Sequence, residues 1–506
     1  MTSESAYDQV EYPGRPYLQT HPASIAAYAR LMNLSPAAAE NCRVLELGCG
    51  DGTNLLGMAA ALPGSTFVGV DLSGNAIRAG SELAREAELS NVTLHQADFA
   101  ELDAGLGSFD YVIAHGVYSW VPPLARTTLQ SAMARHLAPD GLAFVSYATY
   151  PGAHLREIAR EMMQYHGRGG GEPMLRVARA VEFVRFVRGT QGASVYGGIL
   201  EQELSRLGRG DWRYVIHDDF ADHHHPVYFR EFASQAAANG LVFATEIPLG
   251  PWPSVGFPAA VRKTIEGFAE GDAVAREQYL DFVRGTAFRQ SLLCHASSGA
   301  NAEGHEERLM SLLVRSDLQP QSPRPDIASR EKVRFVTRLG DSADADEPLI
   351  KAIFVTLANA RLMPLPVSEV LARAEPLAGL SPAEGEVLAG RIRAVAGMLL
   401  NAASRRLVTI QASPARFANR ASERPAVSPL VRAQARRGDI VTSLRHEPIQ
   451  LDSRVHPLVL RADGTCTQAE LRTLLAQAKP DGKPHVEPEI FDRILQHGID
   501  QALFAT

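Results

Sequence analysis

Cysteine is scarce in this chain: four among 506 residues, at positions 42, 49, 294 and 466, with no C-x-x-C pair. Neither a disulfide framework nor a cysteine zinc site is expected, and the four read as reduced, mostly buried thiols of a cytoplasmic protein. Long apolar runs are missing too. No stretch approaches the ~18 consecutive apolar residues that span a bilayer. The start, Met1 to Gln9, is polar where a signal peptide would be apolar. Positive charge is not in excess either. A net charge of -7 argues against a nucleic-acid binder held by phosphate contacts. The Arg-rich piece from Arg416 to Arg445 then reads as a solvated face. What remains, 45% apolar and 21% charged residues, is ordinary globular composition, and the length predicts two to four domains.

The chemistry concentrates in Arg43-Val44-Leu45-Glu46-Leu47-Gly48-Cys49-Gly50-Asp51-Gly52-Thr53-Asn54. A short apolar run ends in glycines and a helical pattern begins at once, so a strand, a tight turn and a helix N-terminus form a nucleotide-type pocket. A dinucleotide fingerprint would need a third glycine where Thr53 stands. Glu46 points elsewhere: its carboxylate would repel a pyrophosphate and suits the cationic amino and sulfonium groups of S-adenosylmethionine (SAM). Thr66 to Asp71 reads as a second buried strand ending in an acid, about 20 residues after the glycines, where a carboxylate takes ribose hydroxyls. A third strand, Val92 to Ala97, delivers Asp98 for the adenine amino group and Phe99 to pack on the base. Cys49, Asn54 and Leu72, which flank these motifs, join Glu46, Gly48, Gly50, Asp71, Asp98 and Phe99 as expected cofactor-binding residues. The polar-aromatic lead-in from Tyr12 to Pro22 adds Tyr17 and His21 from above the pocket.

A fourth strand, Phe109 to Gly116, carries His115 to the place where a methyl acceptor meets the donor, beside the topological switch point. Val117-Tyr118-Ser119-Trp120-Val121-Pro122 follows, without the Asn/Asp-Pro-Pro-aromatic sequence of enzymes that methylate DNA bases or glutamine. A turn at Pro139-Asp140-Gly141 is expected before the fifth strand, which ends near Tyr150. His115, Tyr118, Trp120 and Tyr150 are the expected catalytic residues, and Tyr118, Trp120, Tyr147 and Tyr150 converge on one rim as four rings that can cage an amine through cation–π contacts. Tyr147 is expected to cap the core instead. Residues 153–210 read as a helical insertion broken at Gly167 to Gly171, Leu241 to Ile247 as the sixth strand and Phe288 to His295 as a seventh, antiparallel one. His217, Asp218, Asp219, Asp222 and His223-His224-His225 lack the spacing of a zinc site, so no metal is expected. Helical patterns at Leu349 to Leu362, Val367 to Ala374 and Pro382 to Ala403, then a strand to Ile410, have the order of a winged helix, with a smaller repeat of the idea at Asp439 to Gln477.

Gln19-Thr20-His21-Pro22, Val44 to Gly50, His115-Gly116-Val117-Tyr118-Ser119-Trp120-Val121-Pro122 and Tyr150-Pro151-Gly152 together resemble one family. It comprises the bacterial class I SAM-dependent protein-lysine methyltransferases that carry a methyltransferase regulatory domain and modify outer-membrane proteins. Pro226 to Phe232, Gln278 to Phe282 and Phe288 to Leu293 are similar to that regulatory domain, and Ser422 to Pro425 and Leu444 to Pro448 to the end of longer members. Ala148 departs from the family, where a polar Asn is expected. The resemblance implies an α/β, Rossmann-like fold with a seven-stranded sheet, a helical insertion and a mainly helical, winged-helix-like C-terminal region. Its expected parts are a SAM-binding domain (1–212), a regulatory domain completing the sheet (213–318), a linker (319–348) and a winged-helix-like domain (349–506). It also implies SAM as donor and protein lysines as acceptors; charge balance and run length predict no nucleic acid and no membrane span, and a homodimer is a further expectation. The alternatives are a small-molecule O- or N-methyltransferase using a histidine base, and a SAM-binding regulator without catalysis.

Overall fold

Five parallel strands carry the fold, and all but the edge strand Val92–Gln96, whose Thr93, His95 and Gln96 are exposed, are mainly apolar on both faces, the pattern of a sheet covered by helices on each side. They are β1 (Arg43–Leu47), β2 (Thr66–Asp71), β3 (Val92–Gln96), β4 (Phe109–Ala114) and β5 (Leu137–Ala148). The sheet continues with β6 (Leu241–Glu246) and β7 (Phe288–His295) in the order β3-β2-β1-β4-β5-β7-β6, with β7 antiparallel to both neighbours. The computed structural model describes residues 10, 12–168, 171–208, 211–247, 257–414, 416–477 and 486–505. The polar start Met1 to Gln9 and Gly169 and Gly170 of the expected glycine break lie outside them.

Alternation along the strands sorts the two cores. Val44, Phe67, Ile113 and Phe144 face the helices Pro22–Leu31 and Thr53–Ala61, whereas Leu45, Leu47, Val112 and Val145 face Pro123–His136 and Phe229–Ala238. Glu46 thus falls on the first face, beneath the N-terminal helices. The expected turn at Pro139-Asp140-Gly141 lies inside β5 instead: Phe109 pairs with Leu137 and Tyr111 already with Leu142, so the intervening residues bulge from the ladder. Buried Leu137 keeps the strand paired, and a proline in a bulge has no ladder N–H to lose.

Helices Ala153–His166, Pro173–Gly189, Val195–Leu207 and Trp212–Asp219 form the insertion around their own core, which Val10 joins. The stretch expected as a linker is folded. β9 (Gln319–Pro320), β10 (Val333–Val336) and β11 (Ser342–Ala345) make a three-stranded sheet, and the fully buried Lys351 ammonium donates to the carbonyls of Asp326, Ser329 and Glu331 at 2.7, 2.6 and 3.1 Å. A burial that satisfies all three N–H donors fixes a loop whose proline and charge read as unstructured. Beyond it, the helices Pro348–Asn359, Val367–Leu377 and Gly385–Ser404 pack with a small sheet of β12 (Leu365–Pro366), β8 (Leu313–Arg315) and β13 (Thr409–Gln411). A last unit holds helix Pro429–Ala435, the hairpin β14 (Ile440–Thr442) and β15 (Pro448–Gln450), and helices Val455–Arg461, Gln468–Leu475 and Phe491–Asp500.

The sheet's antiparallel extension is fastened by a buried guanidinium. Arg289, 3% exposed, lies 3.0 Å from Glu246, 2.8 Å from Glu277 and 3.1 Å from Asp281, with its carbon 3.9 Å over the Phe229 ring. Arg289 faces three carboxylates, with Arg276 3.8 Å from Glu277 at the margin, and burial holds the Glu246 carboxyl up to about 7. Arg289→Met should cost ~3–5 kcal/mol of stability, because it strands buried charge. Urea unfolding measures it, and a loss under ~1 kcal/mol would show that the cluster sheds its charge without structural cost.

Candidate active site

The turn after β1 is made by Gly48, Gly50 and Gly52, whose φ angles are 74°, 58° and 71°. Only glycine takes such left-handed values freely. The Gly48 and Cys49 N–H groups donate to the Val70 carbonyl at 2.8 and 3.1 Å, pinning the turn to the end of β2. The Gly50 N–H donates to Asp71 Oδ2 at 2.8 Å and the Ser73 N–H to Asp71 Oδ1 at 2.9 Å. Two backbone donors thus fix the plane of that carboxylate at the strand's carboxyl end, where nucleotide riboses bind in doubly wound sheets. Nothing lies within 4 Å of where a Cβ on Gly50 or on Gly116 (φ 71°) would stand, so both border open space. Along the same edge Asp98 caps the short helix Phe99–Glu101 by accepting from the Ala100 N–H at 2.8 Å, Phe99 packs partly buried, and Leu72 is 64% exposed. The Cys49 thiol is buried and pushed well up by desolvation, which makes it a packing group.

Glu46 and Asn54 lie below this floor. Asn54 Nδ2 donates to Glu46 Oε1 and to Thr20 Oγ1, both at 2.9 Å, and its Oδ1 accepts from the Tyr17 N–H at 2.9 Å. Glu46 Oε2 is buried without a partner, and desolvation raises the carboxyl to about 8. A buried acceptor left open at the floor of a cleft fits a cationic ligand group.

The N-terminal arm closes the pocket from above. A Cβ on Gly14 would stand 2.2 Å from Asp51 Oδ1, so the arm touches the glycine turn with no side chain between them. The arm is held to helix Trp212–Asp219 by Tyr214, whose hydroxyl donates to the Pro13 carbonyl at 3.0 Å, and by His217, whose Nε2 lies 2.8 Å from the Val10 carbonyl. Tyr12 sits edge-on to both rings at 5.2 Å. The Tyr17 ring meets His115 at 4.0 Å, while His21 caps helix Pro22–Leu31 and accepts from the Ala23 N–H at 3.2 Å. Tyr12 and Tyr17 hydrogen-bond each other, and the charge of Asp218 reaches both. Asp218 is itself held up to about 6 by burial, with Arg156 at 3.7 Å opposing the shift.

At the end of β4, His115 Nδ1 lies 2.8 Å from Ser146 Oγ, which also accepts the Gly116 N–H at 2.8 Å. Burial lowers the imidazole to about 4, so it is neutral at pH 7. The expected cage of four rings does not form. Tyr118 is fully buried on the other face, its hydroxyl donating to Gln235 at 2.6 Å and its ring edge-on to Phe232. Tyr147 stacks on Phe232 at 4.1 Å, in the core as strand alternation predicts. Trp120 meets His224 at 5.7 Å, and Tyr150 stacks on His154 at 4.0 Å with its hydroxyl donating to Glu157. The cause is local: Ser119 accepts the Ala148 N–H through its side chain, and the Trp120 N–H returns to the Val117 carbonyl. This tight turn splays consecutive rings apart. The structure therefore brings His115 together with Tyr17 and Ser146, with Tyr12 next to Tyr17, and leaves Tyr118, Trp120 and Tyr150 elsewhere. Ser146 was visible in principle from β5 alternation; Tyr12 and Asp218 had no partner in sequence range. Among the described residues no three or more metal-ligating side chains gather.

The Glu46 carboxyl gives a pH prediction. Its folded pKa of about 8 lies above the ordinary 4.5, so the folded state binds the extra proton between those values. Its contribution to stability is therefore lost as pH rises from about 4.5 through about 8. Thermal unfolding at pH 5, 6.5 and 8 should show that slope in the ligand-free protein and a flatter profile in Glu46→Gln; parallel profiles would place the proton elsewhere.

Comparisons with known proteins place the fold in a family. Residues 44–141 match the methyltransferase domain family, residues 211–295 the predicted methyltransferase regulatory domain, and residues 423–493 the PKMT C-terminal winged helix domain. The winged-helix match falls on the last unit rather than on the three helices before it. The uncharacterized protein RP789 of Rickettsia prowazekii is 28% identical over 461 residues, covering 89% of this chain and 81% of that protein. The uncharacterized RP028 of the same organism is 31% identical over 237 residues, covering 46% of this chain and 95% of that protein. Among solved structures, PKMT2 from Rickettsia typhi in complex with AdoHcy shares the fold, with a TM-score of 0.83 at 24% identity over 98% of this chain and 100% of that one. The chain belongs to the family of RP028 and is a SAM-dependent methyltransferase with a regulatory domain and a PKMT-type winged helix.

Proposed function

We propose that the methyl acceptor is a lysine side chain of a protein. The observation that carries this reading is the ring of Tyr17 meeting His115 at 4.0 Å, with Tyr12 beside Tyr17 and the Asp218 carboxylate within electrostatic reach of both phenols. Aromatic faces and a carboxylate attract an ammonium. The PKMT winged-helix match and the fold shared with a protein called PKMT2 support the same class. On this reading Glu46 would hold the donor's amino group, Asp71 its ribose, Asp98 and Phe99 its adenine, with Gly48, Gly50 and Tyr17 shaping the floor and roof. SAM supplies a methyl group on a sulfonium, already an excellent leaving group.

The protein's own task is then alignment and deprotonation. Alignment of donor and acceptor supplies much of the rate in such reactions. A lysine starts with a pKa near 10.4 and must lose a proton before it can react. Burial against Tyr17 desolvates the amine and lowers that value, after which the proton leaves through water. A small-molecule O-methyltransferase would use His115 or His21 as base. Burial lowers both imidazoles to about 4, which leaves them neutral but weak for an alcohol. That disfavours the hydroxyl acceptor.

Four unpaired cysteines support a cytoplasmic enzyme. An apolar groove with Phe268, Phe282 and Val283 exposed supports a homodimer. Among the described residues no helix is long and apolar enough to cross a membrane.

The test uses isotopically labelled SAM and a cell extract separated into proteins and metabolites. Label should appear on protein lysines, located by mass spectrometry of peptides; label in metabolites alone would overturn the proposal. His115→Ala should lower kcat by less than ~100-fold, the lower bound for losing a general base. A larger fall would return the role of base to the imidazole.

A further inference from the structure

The last unit reaches the donor pocket through one side chain. His446, at the tip of the loop joining β14 to β15, is 1% exposed, and its Nε2 lies 2.8 Å from Asn54 Oδ1. The tautomer follows from the other bonds of Asn54. The Tyr17 N–H can only donate, so the atom facing it is the amide oxygen, and Nδ2 must face Glu46 and Thr20. The same oxygen faces His446, whose Nε2 therefore carries the proton. Burial holds that imidazole well below its ordinary pKa, so it stays neutral. With this bond all four hydrogen-bonding positions of the amide are filled.

Two features show that the approach is built. His446 has φ 60°, a left-handed conformation uncommon for a residue with a Cβ, and strain of this kind clusters where the fold over-determines a position. Gly57 of helix Thr53–Ala61 leaves room for it: a Cβ there would stand 2.7 Å from Thr442 Cγ2 and 2.9 Å from His446 Nδ1. The loop is also braced from behind, with Glu447 at 2.7 Å from Arg315 and 3.1 Å from Arg445.

We infer that His446 is a positioning residue for the donor site: by orienting Asn54 it sets the carboxylate of Glu46 and the backbone of Tyr17, so the C-terminal unit governs SAM affinity. The inference rests on the donor reading given above for Glu46 and Tyr17. It assigns the C-terminal unit a role at the active site besides any contact with a partner.

Calorimetric titration of the full-length protein with SAM tests it, together with Tm. His446→Ala should weaken SAM binding by up to roughly tenfold, the worth of one buried hydrogen bond, and His446→Gln, which keeps an N–H donor, should restore most of it. Leu430→Ala opens a cavity where the same unit packs on Leu56 and Leu83, without touching Asn54. It should lower Tm and leave SAM affinity unchanged. Wild-type affinity in His446→Ala, or equal weakening in Leu430→Ala, would overturn the inference. Absence of SAM binding to the wild type would instead overturn the donor reading, and this inference with it.

Discussion

Everything in the pocket depends on how β1 is turned away from β2. Because the Val70 carbonyl takes both the Gly48 and Cys49 N–H groups, the chain must leave β1 in a left-handed bend. That bend aims the Gly50 N–H at Asp71, so turn and carboxylate orient each other. The helix Gly74–Glu86 can then approach so closely that a Cβ on Gly80 would stand 2.0 Å from the Asp51 carbonyl. Turn, acid and helix are thus set by backbone packing first and by side chains second.

That order explains what the sequence revealed. Strand, turn and acid recur at separations set by backbone geometry, so β1 to β4, the glycine turn and the acid at the end of β2 could be read from spacing. Side-chain direction at the end of β4 could not. Tyr118 and Trp120 are two residues apart, yet a turn between them sends one ring to Phe232 and the other to His224. Spacing arguments hold only while the chain stays a strand. Pro139-Asp140-Gly141 shows the converse: residues with strong turn chemistry bulge inside a strand because buried partners on each side hold it. Lys351 makes the same point for the folded stretch before it, since no local pattern announces an ammonium held by three distant carbonyls.

The groups around His115, the acceptor side on the reading proposed above, come from segments far apart in sequence. The arm brings Tyr12 and Tyr17, β4 brings His115, β5 brings Ser146 and the insertion brings Asp218. Each residue is unremarkable where it stands in the chain. Their chemistry appears only when Tyr214 and His217 clamp the arm across the pocket.

The bond between His446 and Asn54 joins residues 392 positions apart. On the ribosome, at ~5–20 residues per second, roughly 20 to 80 seconds separate the synthesis of its two ends. Through that interval β1 to β7 and the glycine bend are made, while the Asn54 oxygen still lacks His446 as its donor. The last link of the pocket closes only once nearly the whole chain has been translated, so a truncated product would carry the pocket without its final lock.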